Sequence, residues 1–302
     1  MTMEKRRLGK TDLDVSVLGF GGSEIGFENA SAETAATLFN QALDIGINVI
    51  DTAECYYKSE ELIGNAISSR RDEFFLLTKC GHPRGIESSP NWSQDSILQS
   101  IQRSLQRLKT DRVDIVHLHS CSEAELQKGE VITALQTARD RGYTRYIGYS
   151  GDSHAARYAA ECGAFDTLQV SINIADQEAI ELTLPLARQN NLGVIAKRPI
   201  ANAAWKYGHK PIDSYHHEYW NRLQKLKYDF VDDLDLESAV SVALRFTLRI
   251  PGVHTAIVGT AKPERLSENV RLLSRGRLDD EQLQAIRERW EDVAPRIWIG
   301  QV

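Results

Sequence analysis

Asp51, Tyr56, Lys79 and His119 bring a carboxylate, a phenol, an amine and an imidazole to the ends of apolar runs. Asp51-Thr-Ala-Glu-Cys-Tyr56 follows Ile47-Asn-Val-Ile50, Lys79 follows Phe74 to Thr78, and His119 follows Val113 to Leu118. Ser150 closes a fourth run, Arg145 to Tyr149. Parallel barrels assemble active sites in this way, each strand delivering one group to the carboxyl-end rim. The set has chemical sense. An ammonium held by a carboxylate and placed beside a phenol favours the phenolate, lowering a pKa of about 10. Such a Tyr exchanges protons near neutrality. Asp51 and Lys79 as a purely structural pair is the blander reading. Burying an ion pair costs desolvation, so a pair at strand ends beside a Tyr is better explained by tuning that Tyr. His117 serves as a control: two positions before His119, it shares that residue's barrel face one layer deeper, where an imidazole is a core group.

The spacing of these groups sets the elements that position them. Strand-end residues Asp51, Lys79, His119, Ser150, Ser171 and Lys197 are 28, 40, 31, 21 and 26 positions apart, the sizes of single β/α units. The next strand end, Gly259, comes 62 positions later, so an insertion lies between Ile200 and Asp235. Helical patterns fall between the strands: 32–45, 59–69, 93–108, 131–141, 153–162, 178–190 and 236–249. This alternation implies a parallel sheet with helical crossovers. A first strand at 16–21 completes eight, and 4–8 and 13–15 read as a hairpin ahead of it. The expected fold is an α/β (β/α)8 TIM barrel. The doubly wound alternative needs a Gly-rich fingerprint, and Gly19-Phe-Gly-Gly22 lacks its third glycine and the downstream acid.

Composition bounds the rest. The 302 residues carry a net charge of −6 with both signs interspersed, against nucleic acid as the main partner. No apolar run approaches the roughly 18 residues of a membrane helix, and the first residues lack a signal peptide's apolar stretch. Four cysteines without paired spacing read as free thiols. These features predict a cytoplasmic protein of one domain, residues 1–302, that acts on a small molecule without nucleic acid or membrane; oligomeric state stays open.

The motifs resemble the aldo-keto reductase family. Its Asp-Thr-Ala-x-x-Tyr pattern, followed by Ser-Glu, reads Asp51-Thr52-Ala53-Glu54-Cys55-Tyr56 and Ser59-Glu60. Its Thr-Lys strand end is Thr78-Lys79. Its Ser-Leu-x-Arg-Leu helix end is Ser104 to Leu108, followed by Asp111 to His119. The resemblance runs from about Arg7 to about Leu272. It implies a barrel whose bottom the hairpin closes, with NADPH-dependent reduction of an aldehyde or ketone. Tyr56 would be the general acid, and His119 would orient the carbonyl or help relay the proton. A nicotinamide-binding regulatory subunit that senses redox state is the alternative from another class, and the intact Asp51, Tyr56, Lys79 and His119 favour the enzyme.

The resemblance also implies cofactor residues. Ser150 and Gln169 fit the nicotinamide side and Gly22 is a further cofactor residue, but Gly151 stands where the family has Asn, with Asp152 next. After the seventh strand, Lys197-Arg198-Pro199-Ile200 replaces the family's aromatic-Ser-Pro-Leu; Lys197 or Arg198 is expected on cofactor phosphates. Gly259 and Thr260 precede a helix whose first turn offers anion donors. Arg265 stands where the family meets the 2′-phosphate, with Glu268 and Asn269 at adenine, so NADPH is expected over NADH. Without the resemblance, Lys262 and Arg265 are ordinary helix charges.

Cys55, Cys80 and Cys121 adjoin the predicted site together with His82, but no short paired spacing supports a metal. Residues 201–234 hold seven of the 23 aromatic residues. That density suits a lid over the barrel mouth, or a satellite helix, 214–228, packing its rings on the barrel. The residues after Trp298 are too few to form much of a substrate pocket.

Overall fold

A computed structural model of the chain describes residues 3–83, 92–233 and 235–301. Strands β1 (Lys5–Arg7) and β2 (Asp14–Ser16) pair antiparallel as a hairpin. Eight parallel strands then close a barrel: β3 (Leu18–Gly21), β4 (Val49–Asp51), β5 (Phe75–Cys80), β6 (Val113–His119), β7 (Thr144–Ser150), β8 (Thr167–Ser171), β9 (Gly193–Lys197) and β10 (Thr255–Gly259). Each strand pairs with its successor, and β10 pairs with β3. The expected strand ends at Asp51, His119, Ser150, Ser171, Lys197 and Gly259 are the observed ones, and Lys79 is one residue from its strand's end.

Side-chain alternation places chemistry at one end of the barrel and packing at the other. Val49, Leu77, Ile115, Ile195 and Ile257 form an inner cluster with Leu8, Leu13 and Val15 of the hairpin. Asp51, Lys79, Lys197 and Gly259 lie two residues further along the same strands and share their inward parity. Leu8 and Leu13 are fully buried, and each contributes about 1.5–3 kcal/mol of transfer free energy. Gly9 makes the hairpin turn fit: its φ is +54°, and a Cβ there would lie 2.3 Å from the Gly193 amide nitrogen.

The helix Gln94–Leu108 shows how an outer helix is set. Ile97, Leu98, Ile101, Leu105 and Leu108 form its buried stripe. The Ser93 side chain caps its start, and Lys109 ends it in left-handed backbone at φ 54°. Its other inward groups reach motif residues. Arg103 pairs with Glu54 at 2.7 Å, and Arg107 bridges Glu54 and Glu60 at 3.3 and 3.2 Å. Glu60 also accepts from Thr78 Oγ1 at 2.7 Å. These motif residues brace the turn that carries Tyr56.

One helix expected over 178–190 is two, Glu178–Leu182 and Leu184–Gln189, broken at Thr183. Pro185 cannot continue a helix because it lacks an N–H, so it opens the second one. The segment after β9 holds 3-10 turns at Ala201–Lys206 and Ser214–His216, then helices His217–Leu226 and Asp229–Asp233. Tyr219 and Tyr228 are buried, donating to Asp176 Oδ2 at 3.0 Å and to the Ile174 carbonyl at 2.8 Å. Much of the aromatic excess therefore packs onto the barrel. Among the described residues, no helix is long and apolar enough to cross a membrane.

Candidate active site

The four strand-end groups meet at the mouth. The Lys79 ammonium donates to Asp51 Oδ2 at 2.6 Å and to the Thr52 carbonyl at 2.9 Å, with both side chains almost fully buried. The same nitrogen stands 4.8 Å from the centre of the Tyr56 ring. The His119 ring meets Tyr56 edge-on, with centroids 5.9 Å apart, and meets His82 edge-on at 5.4 Å. Its Nδ1 lies 3.4 Å from Cys55 Sγ. No hydrogen bond among the described residues holds the Tyr56 hydroxyl. His117 is fully buried below, with Nε2 3.1 Å from Thr167 Oγ1, as expected of a core imidazole.

Burial dominates the electrostatics. It pushes the Tyr56 phenol well above its usual value, with Asp51 adding to the rise. That rise outweighs the lowering expected from Lys79. The ammonium is bonded to Asp51 and Thr52 and faces the ring. Tyr56 is thus a protonated phenol, suited to give a proton rather than to take one. Burial, with Lys79 next in order, drives the His119 pKa well down. That imidazole is neutral, which suits it to orienting an oxygen by hydrogen bonding and not to carrying the proton as an acid.

The aldo/keto reductase family model matches residues 17–291. The chain belongs to the aldo-keto reductase family. Among its relatives, the oxidoreductase YqkF of Bacillus subtilis is 30% identical over 303 residues, covering 94% of this chain and 95% of that protein. The L-galactose dehydrogenase of Arabidopsis thaliana is 32% identical over 214 residues, 66% of each protein. The solved holo form of aldo-keto reductase AKR11C1 from Bacillus halodurans superposes with a TM-score of 0.82 at 26% identity, covering 95% of this chain and 96% of that one. Aldo-keto reductases are NAD(P)H-dependent oxidoreductases, so this chain is a nicotinamide-using oxidoreductase in class.

Ser150 and Gln169, expected from the resemblance at the nicotinamide, are hydrogen-bonded in a chain to Asp51. Gln169 donates to Asp51 Oδ1 at 2.8 Å and accepts from Ser150 Oγ at 3.0 Å. Gly151, in the Asn position, has a local cause. A Cβ there would lie 2.4 Å from the Tyr149 hydroxyl, which donates to the Cys121 carbonyl at 2.8 Å. Asp152 does not replace the amide. Its carboxylate accepts from the Ser171 amide at 2.7 Å and pairs with Lys197 at 2.9 Å. Lys197 is therefore neutralised at the mouth.

Arg198 has left-handed backbone at φ 55° and spends its guanidinium on neighbours. It donates to Ser171 Oγ at 3.1 Å, to the Tyr215 hydroxyl at 3.2 Å and to the Gln301 carbonyl. The segment after Trp298, expected to contribute little, thus reaches the mouth. Gly300 N donates to Glu178 at 2.6 Å, and Gln301 N to Asp176 at 3.2 Å. Pro199 and Ile200 continue the turn, and the Pro199 carbonyl accepts from Thr247 at 2.9 Å. At the other edge, Thr260 Oγ1 accepts from the Lys262 amide at 3.0 Å, ahead of the helix Pro263–Leu273. On that helix Arg265 pairs with Glu268 at 3.0 Å in solvent, and Asn269 is buried.

Three groups at the mouth were not foreseen in these positions. Glu24 leans against Gly259, where a Cβ would lie 1.6 Å from its Oε2, and burial raises its carboxyl pKa. It stands beyond Gly22, whose amide donates to the Asp51 carbonyl at 2.7 Å. Asn202 sits in a left-handed run, Ala201 to Ala203, with a buried Nδ2 that has no partner among the described residues. Cys55 touches His119. Only the adjacency of Cys55 to Tyr56 is visible in the sequence. A cavity of about 290 Å³ beside Arg198 is lined by Asn202, Tyr215, Tyr219 and Gln301 among others.

Proposed function

We propose that this aldo-keto reductase is an NADPH-dependent carbonyl reductase that converts an aldehyde or ketone to an alcohol. The observation that carries the reading is the buried Lys79–Asp51 pair against the face of Tyr56, with neutral His119 at its edge. When bound, the reduced nicotinamide supplies a hydride for the carbonyl carbon. The chain's own residues do the rest. Tyr56, protonated at neutral pH, gives its proton to the carbonyl oxygen. His119 donates a hydrogen bond that orients that oxygen. Lys79 stabilises the negative charge left on the phenol, and in a dry site such preorganised charge is worth far more than in water. Asp51 holds Lys79 in place.

The residues present fit the cofactor. Asn202 Nδ2 is a buried donor without an acceptor among the described residues, a costly state that a phosphate oxygen would relieve. Ser150 and Gln169 would hold the carboxamide, with Gly22, Gly259 and Thr260 lining the groove. Lys197, Arg198, Pro199 and Ile200 would border the diphosphate. Arg265 would meet the 2′-phosphate, with Glu268 and Asn269 at adenine. Glu24 would have to turn away from Gly259 to admit an anion. On this reading residues 1–302 act as one domain, and 201–234 cover one side of the mouth.

Oxidation of NADPH and of NADH across aldehydes, ketones and quinones tests the proposal. Turnover of carbonyls with NADPH favoured is the expected result. Tight NADPH binding with no turnover of any carbonyl would instead support the regulatory-subunit reading.

A further inference from the structure

We propose that Cys55 is a positioning residue whose thiol donates to Nδ1 of His119, fixing the imidazole tautomer that carries its hydrogen on Nε2. The inference rests on the reading that His119 orients the substrate oxygen. A neutral imidazole has one donor nitrogen and one acceptor nitrogen, and only the donor can hold a carbonyl oxygen. The group at the other nitrogen decides which is which.

Three observations give the direction of this contact. Cys55 Sγ lies 3.4 Å from His119 Nδ1, within reach of a sulfur hydrogen bond. Among the described residues the thiol hydrogen has no other acceptor, so it is available to the ring. Burial pushes the Cys55 thiol up to about 11, so that hydrogen stays on sulfur at working pH. An S–H facing Nδ1 needs a lone pair there, which moves the ring hydrogen to Nε2. No hydrogen bond among the described residues engages His119 Nε2. Tyr56 and His82 pack edge-on against the ring at interplanar angles of 83° and 86°.

This also gives Cys55 a role other than nucleophile. A thiol held protonated next to a neutral His is a poor thiolate source but a steady donor. Ser can make the same bond, whereas Ala leaves Nδ1 free to take the ring hydrogen.

The test is nitrogen NMR of histidine-labelled protein together with steady-state kinetics of the parent, Cys55→Ser and Cys55→Ala. The parent and Cys55→Ser are expected to show His119 with its hydrogen on Nε2. Cys55→Ala is expected to show mixed tautomers, with kcat lower by roughly three- to ten-fold and cofactor affinity unchanged. A parent spectrum with the hydrogen on Nδ1 would overturn the proposal, and so would an unchanged tautomer in Cys55→Ala. The parent spectrum decides even if a variant fails to fold. If the parent reduces no carbonyl at all, the reductase reading fails while the tautomer remains readable, so the two failures are distinct.

Discussion

Gln169 and Asp51 meet across the barrel, with 2.8 Å between the amide nitrogen of one and Oδ1 of the other. Because the Gln169 oxygen accepts from Ser150 at 3.0 Å, the amide has one orientation. Gln169, proposed for the nicotinamide, therefore also supports the carboxylate that holds Lys79. Gln169→Leu should strip Asp51 Oδ1 of its partner in a buried site, at a cost of about 1–3 kcal/mol. Urea unfolding should read that loss, and kcat should fall along with nicotinamide affinity. A variant with weaker cofactor binding but unaltered stability would mean that the bond to Asp51 contributes nothing.

His117 makes the fold acid-sensitive. Burial, with Lys79 second, lowers its pKa to about 3, against about 6.5 in an unfolded chain. The folded state thus refuses a proton that the unfolded state accepts. The corresponding stability is present above about pH 6.5 and is lost as pH falls towards 3, on the order of 2 kcal/mol between pH 7 and pH 5. His117→Gln has no such group, so its unfolding free energy should fall less over that interval. Parallel curves for the two proteins would remove His117 as the cause.

Among the described residues Arg265 pairs only with Glu268, in solvent, and such i,i+3 pairs are weak. The guanidinium is therefore free to move to a phosphate. Arg265→Ala should weaken NADPH binding by roughly ten- to a hundred-fold, from about 1.5–3 kcal/mol of charge-assisted hydrogen bonding. NADH binding should hardly change. Equal losses for the two would mean that Arg265 does not read the 2′-phosphate.

Arg198 offers a contrasting signature. Arg198→Ser should weaken NADPH and NADH alike, since the diphosphate is common to both, and the loss should shrink as salt rises. A fall in turnover without loss of affinity would instead place Arg198 at the nicotinamide face. Fluorescence titration and single-turnover rates separate the two.

The strand ends were legible because apolar alternation and unit spacing are local, and the motif tied Asp51, Tyr56, Lys79 and His119 to one rim. Pro185 was also legible, and reading one helix across it ignored a known breaker. The direction of the Tyr56 shift was not. It depends on how deeply the fold buries the phenol, and that burial outweighs the nearby ammonium. The contacts of Cys55 with His119 and of Arg198 with Gln301 join residues 64 and 103 positions apart. No periodicity reports such meetings.

The central claim is that Tyr56 gives the proton. Tyr56→Phe removes one hydroxyl and keeps the ring that meets Lys79 and His119. Single-turnover carbonyl reduction in that variant, with NADPH affinity measured by titration, is the most direct test. The expected result is cofactor affinity within a few-fold of the parent, with the reduction rate lowered by about 10²-fold or more. A rate within a few-fold of the parent would show that Tyr56 is not the acid.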